Sequence, residues 1–295
     1  MNKPNFLVLG AAKSGTTSLY HCLNQHPDIC MSMPKEPRYF EKEYGNGIDF
    51  YWEKYFSHYK NETKIGEARA VHLYLPYVPE RIYETIPDAK LLVILRHPIE
   101  RAISLWWELY RNKLEPLYFD EAIAENKKRL QESIFFEGEM GEKIWLGDSS
   151  KYFGSKSRHR IYMDMGYYAE QLQRYYDLFP KENIKVLLLE DFSANQQAVM
   201  NEVFCFLGVS PMELKDTTPQ RVGLTTGQHY FRKLRKKHRI YKRLPKKLML
   251  KLLGKWSRSK PKIDSTTREW LVAHYREHNL QLQNLLNRDL SHWNS

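Results

Sequence analysis

Chemistry on this chain begins with a lysine set inside a glycine turn, Gly10-Ala-Ala-Lys13-Ser14-Gly15-Thr16-Thr17-Ser18. Glycines at the two ends of such a turn let backbone N–H groups converge on an anion. The start of a following helix adds partial positive charge, and Lys13 adds a full one. The turn reads as a seat for an oxyanion, against the plainer reading of a tight corner between a strand and a helix. A second cation, Arg96, follows the apolar run Leu91-Leu-Val-Ile-Leu95, and Ser104 comes two helical turns after it. Arginine grips phosphate through two parallel hydrogen bonds and serine can donate one more, so this pair suits a second phosphate. Glu36, in Pro34-Lys-Glu36-Pro-Arg-Tyr39-Phe40, is a carboxylate held between prolines. It could take a proton beside a bound anion, or it could be an exposed loop acid next to Lys35.

These groups need elements to hold them. Phe6-Leu-Val-Leu9 reads as a buried strand leading into the turn, and Leu19, Cys22 and Leu23 mark the helix that leaves it. Leu91–Leu95 reads as a buried parallel strand, with Pro98 in the first turn of a helix running through Ile99, Ile103, Trp106, Trp107 and Tyr110. Ligands of open α/β sheets bind at the carboxyl ends of strands, so Lys13 and Arg96 should face one crevice. A further strand is expected over Ile184–Leu189, with helices beginning in the Arg160–Leu172 stretch and carried through Tyr175, Tyr176 and Phe179 to Pro180, around Val199–Leu207 and from Trp270 to Leu286. Residues 41–63 are read as helical aromatic packing, and 113–160 as one amphipathic helix followed by glycine turns at 138, 141 and 147. His26 is read as a turn residue and Arg101 as a helix-surface charge. The alternation predicts an α/β fold, a three-layer doubly wound parallel sheet, in a single domain spanning 1–295.

Charge narrows the partners. The net charge is +11, yet residues 217–263 hold 16 Lys or Arg and no acid, which leaves the remainder at −5. With basicity confined to one segment that carries no nucleic-acid motif, no nucleic acid is expected as partner. Three readings stand for residues 232–262: a lid over phosphates, a platform for an anionic acceptor or anionic membrane surface, and a solvated helix face. Cys22, Cys30 and Cys205 lack metal-site spacing and read as small buried hydrophobes, so no metal is expected. No run of about 18 apolar residues occurs and a strand follows Met-Asn-Lys-Pro directly, from which a cytoplasmic protein is expected.

The turn departs from the nucleotide-binding pattern G-x-x-x-x-G-K-[ST], since Thr16 follows Gly15 and Lys13 precedes it by two. It resembles instead the P-K-x-G-T-T-S/W loop of the sulfotransferases, with Ala12 in place of proline, and Arg96 with Ser104 repeats that family's R-x7-S arrangement. The resemblance covers nearly the whole chain and is nearest to glycan and heparan-sulfate-type members, in a bacterial-type cytoplasmic form. It implies a P-loop-like fold and transfer of a sulfuryl group from 3′-phosphoadenosine 5′-phosphosulfate (PAPS), without a metal, to an acceptor hydroxyl. That hydroxyl would belong to a carbohydrate or glycoconjugate, or else to a lipid or small molecule. Lys13, Ser14, Gly15, Thr16, Thr17 and Ser18 would then hold the 5′ end and Arg96 and Ser104 the 3′-phosphate. By the same resemblance Glu36 would be the base and Lys13 would neutralise the leaving oxygen. His72 is the rival base, near the position where cytosolic small-molecule sulfotransferases carry a histidine. Glu67-Ala68 departs from the family's Glu-Lys, with Arg69 as a partial replacement for the lysine. A non-enzymatic reading of the same fold is a nucleotide-binding or membrane-docking module.

Overall fold

Five strands, β1 (Phe6–Gly10), β2 (Ile29–Met31), β3 (Lys64–Ala68), β4 (Lys90–Leu95) and β5 (Ile184–Leu188), form one sheet in the order β2-β3-β1-β4-β5. Every pairing is parallel. The structure, a computed structural model, describes residues 3–131, 136–148, 160–218 and 263–295.

Among these residues ten α-helices surround the sheet: α1 (Thr16–Leu23), α2 (Gly47–Phe56), α3 (Val78–Thr85), α4 (Pro98–Arg111), α5 (Phe119–Gln131), α6 (Gly138–Lys143), α7 (Tyr168–Tyr176), α8 (Leu189–Ala194), α9 (Gln196–Leu207) and α10 (Ser265–Leu286). Side chains alternate across a strand, so successive β4 residues enter different cores. Leu91, Val93 and Leu95 pack with apolar residues of α2, α3 and α7, whereas Leu92 and Ile94 pack with those of α1 and α9. The result is the expected three-layer parallel sheet. A third apolar cluster joins α4, α5 and α10 through Ile103, Trp106, Phe119 and Tyr275.

Local signals set the boundaries. His97 Nδ1 accepts from the Ile99 amide at 3.2 Å and Pro98 opens α4, whose position after β4 is thereby fixed. Asn195 and Asp264 cap α9 and α10 in the same way, accepting from Ala198 and Thr267. Gly208 ends α9 with a φ of 75°.

Four expectations are corrected. Arg101 is fully buried rather than on the helix surface, because α10 and the 160–166 segment cover that side of α4; its guanidinium donates to the Tyr162 carbonyl. Cys205 is exposed, lying on the outer face of α9 between the inward Phe204 and Leu207. Residues 138–143 form a short helix instead of a glycine turn. Leu189 starts α8 rather than ending β5. His26 is a turn residue as expected: its Nδ1 accepts from the Asp28 amide at 3.1 Å and its Nε2 lies 2.9 Å from the Ser210 carbonyl. Of the basic segment 217–263, residues 219–262 lie outside the described residues, and with them the lid and platform readings.

Candidate active site

The turn after β1 is held from three sides. A Cβ on Gly10 would come within 2.9 Å of Leu73 Cβ and 3.1 Å of the Ala70 carbonyl, so only glycine lets β1 pass the loop that follows β3. The Ala11 amide donates to the Ile94 carbonyl at 2.7 Å, which ties the turn to β4. Gly15 has a φ of 97°, and a Cβ there would meet Leu189 Cδ1 at 2.9 Å. Lys13 also sits in the left-handed region, at a φ of 71°. For a residue with a side chain this conformation costs about 1–3 kcal/mol and tends to be kept where function requires it.

What the turn offers is positive charge. α1 begins at Thr16 without a side-chain cap and without an acid in its first turn. Ser14 is fully buried, and its hydroxyl, close to that of Tyr168, has no well-aligned hydrogen-bond partner. Thr16 is nearly buried, whereas Thr17 and Ser18 are partly open. Amides at an uncapped helix start, a buried hydroxyl and an ammonium together form a seat for an anion.

Arg96 leaves the carboxyl end of β4 beside this turn. Its Nη1 is 3.4 Å from the Lys13 carbonyl and its Nη2 is 3.7 Å from Glu100 Oε2. Tyr168 steadies the backbone there, donating to the Arg96 carbonyl at 2.9 Å. Ser104 is half-buried two turns into α4. The structure thus brings Lys13 and Arg96 together, as the strand-end argument requires. One turn beyond Ser104 stands a residue that sequence reading missed: Glu108, whose carboxylate pairs with Lys13 Nζ. Its spacing of four from Ser104 on the same helix is the signal that could have shown it.

A second group forms where β3 ends. Glu36, at a φ of 68°, accepts from Lys35 Nζ at 2.7 Å and from Arg69 Nη1 at 3.0 Å. Arg69 also donates to Glu41, with Nε at 2.8 Å from Oε2, and Trp145 Nε1 donates to the other Glu41 oxygen at 2.8 Å. Glu36 is therefore an ion-paired carboxylate with about a third of its side chain exposed. Arg69 is its link to the core, and neither Glu41 nor Trp145 was singled out from sequence.

His72 lies elsewhere, with no exposed surface. Its Nδ1 is 3.2 Å from Glu67 Oε1 but out of line for a hydrogen bond, and the ring meets Phe40 edge-on. Burial, helped by the charge of Arg69, pushes its pKa well below the ordinary imidazole value, so the ring is neutral. Burial pushes Glu67 the other way, up to about 8, although the Tyr51 hydroxyl donates to it. Both groups form a closed polar pocket under the site.

Comparison with known proteins fixes the lineage. A sulfotransferase domain model matches residues 3–279. The chain belongs to the sulfotransferase family. It is 28% identical over 279 residues to the membrane-associated sulfotransferase kil1 of Dictyostelium discoideum, covering 74% of this chain and 59% of that protein. It is 29% identical to the bifunctional heparan sulfate N-deacetylase/N-sulfotransferase 3 of Mus musculus, covering 97% of this chain and 30% of the relative. The chain thus spans less than two thirds of the length of the first of these relatives and under a third of the second. A crystal structure of a sulfotransferase from Alicyclobacillus acidocaldarius superposes over 100% of both chains with a TM-score of 0.72 and 27% identity. Among the described residues no helix is long and apolar enough to cross a membrane.

Proposed function

We propose that this sulfotransferase-family domain transfers a sulfuryl group from PAPS to an acceptor hydroxyl of a carbohydrate or glycoconjugate. One observation carries the reading: the Arg96 guanidinium reaches the Lys13 carbonyl, at 3.4 Å, so two anion-binding groups share one site. The 3′- and 5′-phosphates of PAPS hang from a single ribose, and a site for them needs its two anchors side by side.

The residues present fit that ligand. The uncapped start of α1, the buried Ser14 hydroxyl and the Lys13 ammonium suit the 5′ end, and Arg96 with Ser104 suits the 3′-phosphate. When bound, PAPS supplies the activated sulfuryl group. The chain's own part is positioning and charge. Lys13 neutralises charge on the leaving oxygen, and the amides of Gly15, Thr16 and Thr17 orient the group. Glu36 takes the acceptor proton, with Lys35 and Arg69 fixing its two oxygens. The exposed share of the Glu36 side chain supports it over the enclosed His72 as the group that meets an acceptor. Relatives whose names specify heparan sulfate support a glycan acceptor. The reading includes a cytoplasmic setting, supported by three free thiols, which a reducing compartment maintains.

Thermal-shift and calorimetric titration with adenosine 3′,5′-bisphosphate (PAP) and with ATP tests this. PAP should stabilise the protein, and Arg96→Ala should weaken PAP roughly tenfold to a hundredfold, the scale of a lost charge-assisted contact. Labelled PAPS should then deliver its label to a glycan in preference to a lipid alcohol. Stabilisation by ATP with none by PAP would overturn the assignment.

A further inference from the structure

An acid beside the donor turn is unexpected in a site meant for an anionic ligand. Glu108 nevertheless extends from α4 to pair with Lys13 Nζ, each side chain being partly exposed, 35% and 25%. Glu108 stands one turn after Ser104, so one stretch of α4 carries both a group read as a phosphate donor and a carboxylate aimed at the other phosphate's cation. The left-handed backbone of Lys13 sets where its stem leaves the turn, and the long stem can swing the ammonium between neighbours.

Magnitudes decide whether this pair is a strut or a temporary hold. A partly exposed ion pair shifts an equilibrium by about fivefold at most, too little to lock a lysine against a multiply charged phosphate that also has the helix start and Arg96. The same small energy still subtracts from the affinity of any anion that must displace Glu108.

We propose that Glu108 is a positioning residue that exchanges with the donor on Lys13. In the free enzyme it holds the ammonium at the turn; the 5′ end of PAPS takes the ammonium over; after transfer Glu108 competes for it again and so hastens departure of PAP. This rests on the PAPS reading of the turn.

The test is titration of PAP into the full chain by calorimetry, with stopped-flow dissociation, for wild type, Glu108→Gln, Lys13→Met and the double variant. Glu108→Gln should bind PAP about two- to fivefold more tightly, mostly through slower release, and the gain should shrink as salt is raised. In the Lys13→Met background the gain should vanish, as a double-mutant cycle between contacting residues requires. A strut without the exchange would lower stability and leave PAP affinity level or weaker. Glu108→Asp, one methylene shorter, should shift affinity in the same direction and reports in place of the glutamine variant if that one does not fold. Wild-type binding of PAP with unchanged or weakened affinity in the Glu108 variants would overturn this inference alone. A wild-type chain that does not bind PAP would remove the donor reading and this inference with it.

Discussion

The turn at Gly10–Ser18 and the acid cluster around Arg69 lie at the carboxyl ends of adjoining strands, β1 and β3, but are made by different physics. The turn is one contiguous piece whose binding groups are backbone amides, fixed once Gly10 and Gly15 allow the path. The cluster is assembled from side chains far apart in the chain, Glu36, Glu41, Arg69 and Trp145, each oriented by the next. A backbone cradle tolerates exchange of its side chains, as Ala12 in place of the family's proline illustrates, but offers little to adjust. A chain of side-chain hydrogen bonds is adjustable and fragile, since losing one member leaves the others unpaired.

The comparison breaks most sharply at Glu36. Replacing it with Gln should lower kcat by about 10²–10⁴ while PAP affinity stays within a factor of two to three, since the base acts on the acceptor and not on the donor. Arg69→Lys should reproduce part of that loss, because a point charge cannot hold Glu36 and Glu41 together. If His72→Phe lost turnover at unchanged stability and Glu36→Gln did not, the roles assigned here would be reversed.

Lys13→Ala should cost about 10²–10³ in kcat, the scale for removing one group that stabilises developing charge. Its ion pair with Glu108 is partly exposed and contributes little to stability, so melting temperature should stay near wild type. A large stability loss would mean that Lys13 serves the turn's architecture rather than a ligand.

The smallest effect concerns the closed pair beneath both regions and appears in the pH dependence of stability. Burial raises the folded pKa of Glu67 to about 8, against an ordinary value of 4.5. The contribution is greatest below the lower value, declines as pH rises between the two while the unfolded carboxyl ionises, and levels off above about 8. His72 has the opposite shift, so protonation of the unfolded chain removes stability as pH falls below its ordinary value of 6.5. Glu67→Gln should therefore flatten the decline between pH 5 and 8 and leave the acid limb in place. Chemical denaturation across pH measures this; an unchanged alkaline slope would show that Glu67 ionises freely in the folded state.

The strand–turn–helix units on either side of Lys13 and Arg96 were legible because their signals are local. Strand, turn and helix of the Gly10–Ser18 unit and the β4–α4 unit each fall within about twenty consecutive residues, and their apolar periods name the elements. Arg101 was misread because period alone cannot say that α10, more than 160 residues later in the chain, covers that side of α4. Glu41 and Trp145 went unnoticed for a related reason: an acid or an indole carries no signal until its partner is in reach.

Taken by itself, the amino-acid order settled much of the backbone of this protein, including the parallel sheet, the glycine turn after β1 and the arginine at the tip of β4, because apolar period, glycine and proline act over a few residues. Only the folded chain decided the pairings, Lys13 with Glu108, Glu36 with Arg69, and Glu67 beside a neutral His72. Charge and burial depend on distance in space, and the sheet order β2-β3-β1-β4-β5 is what sets those distances.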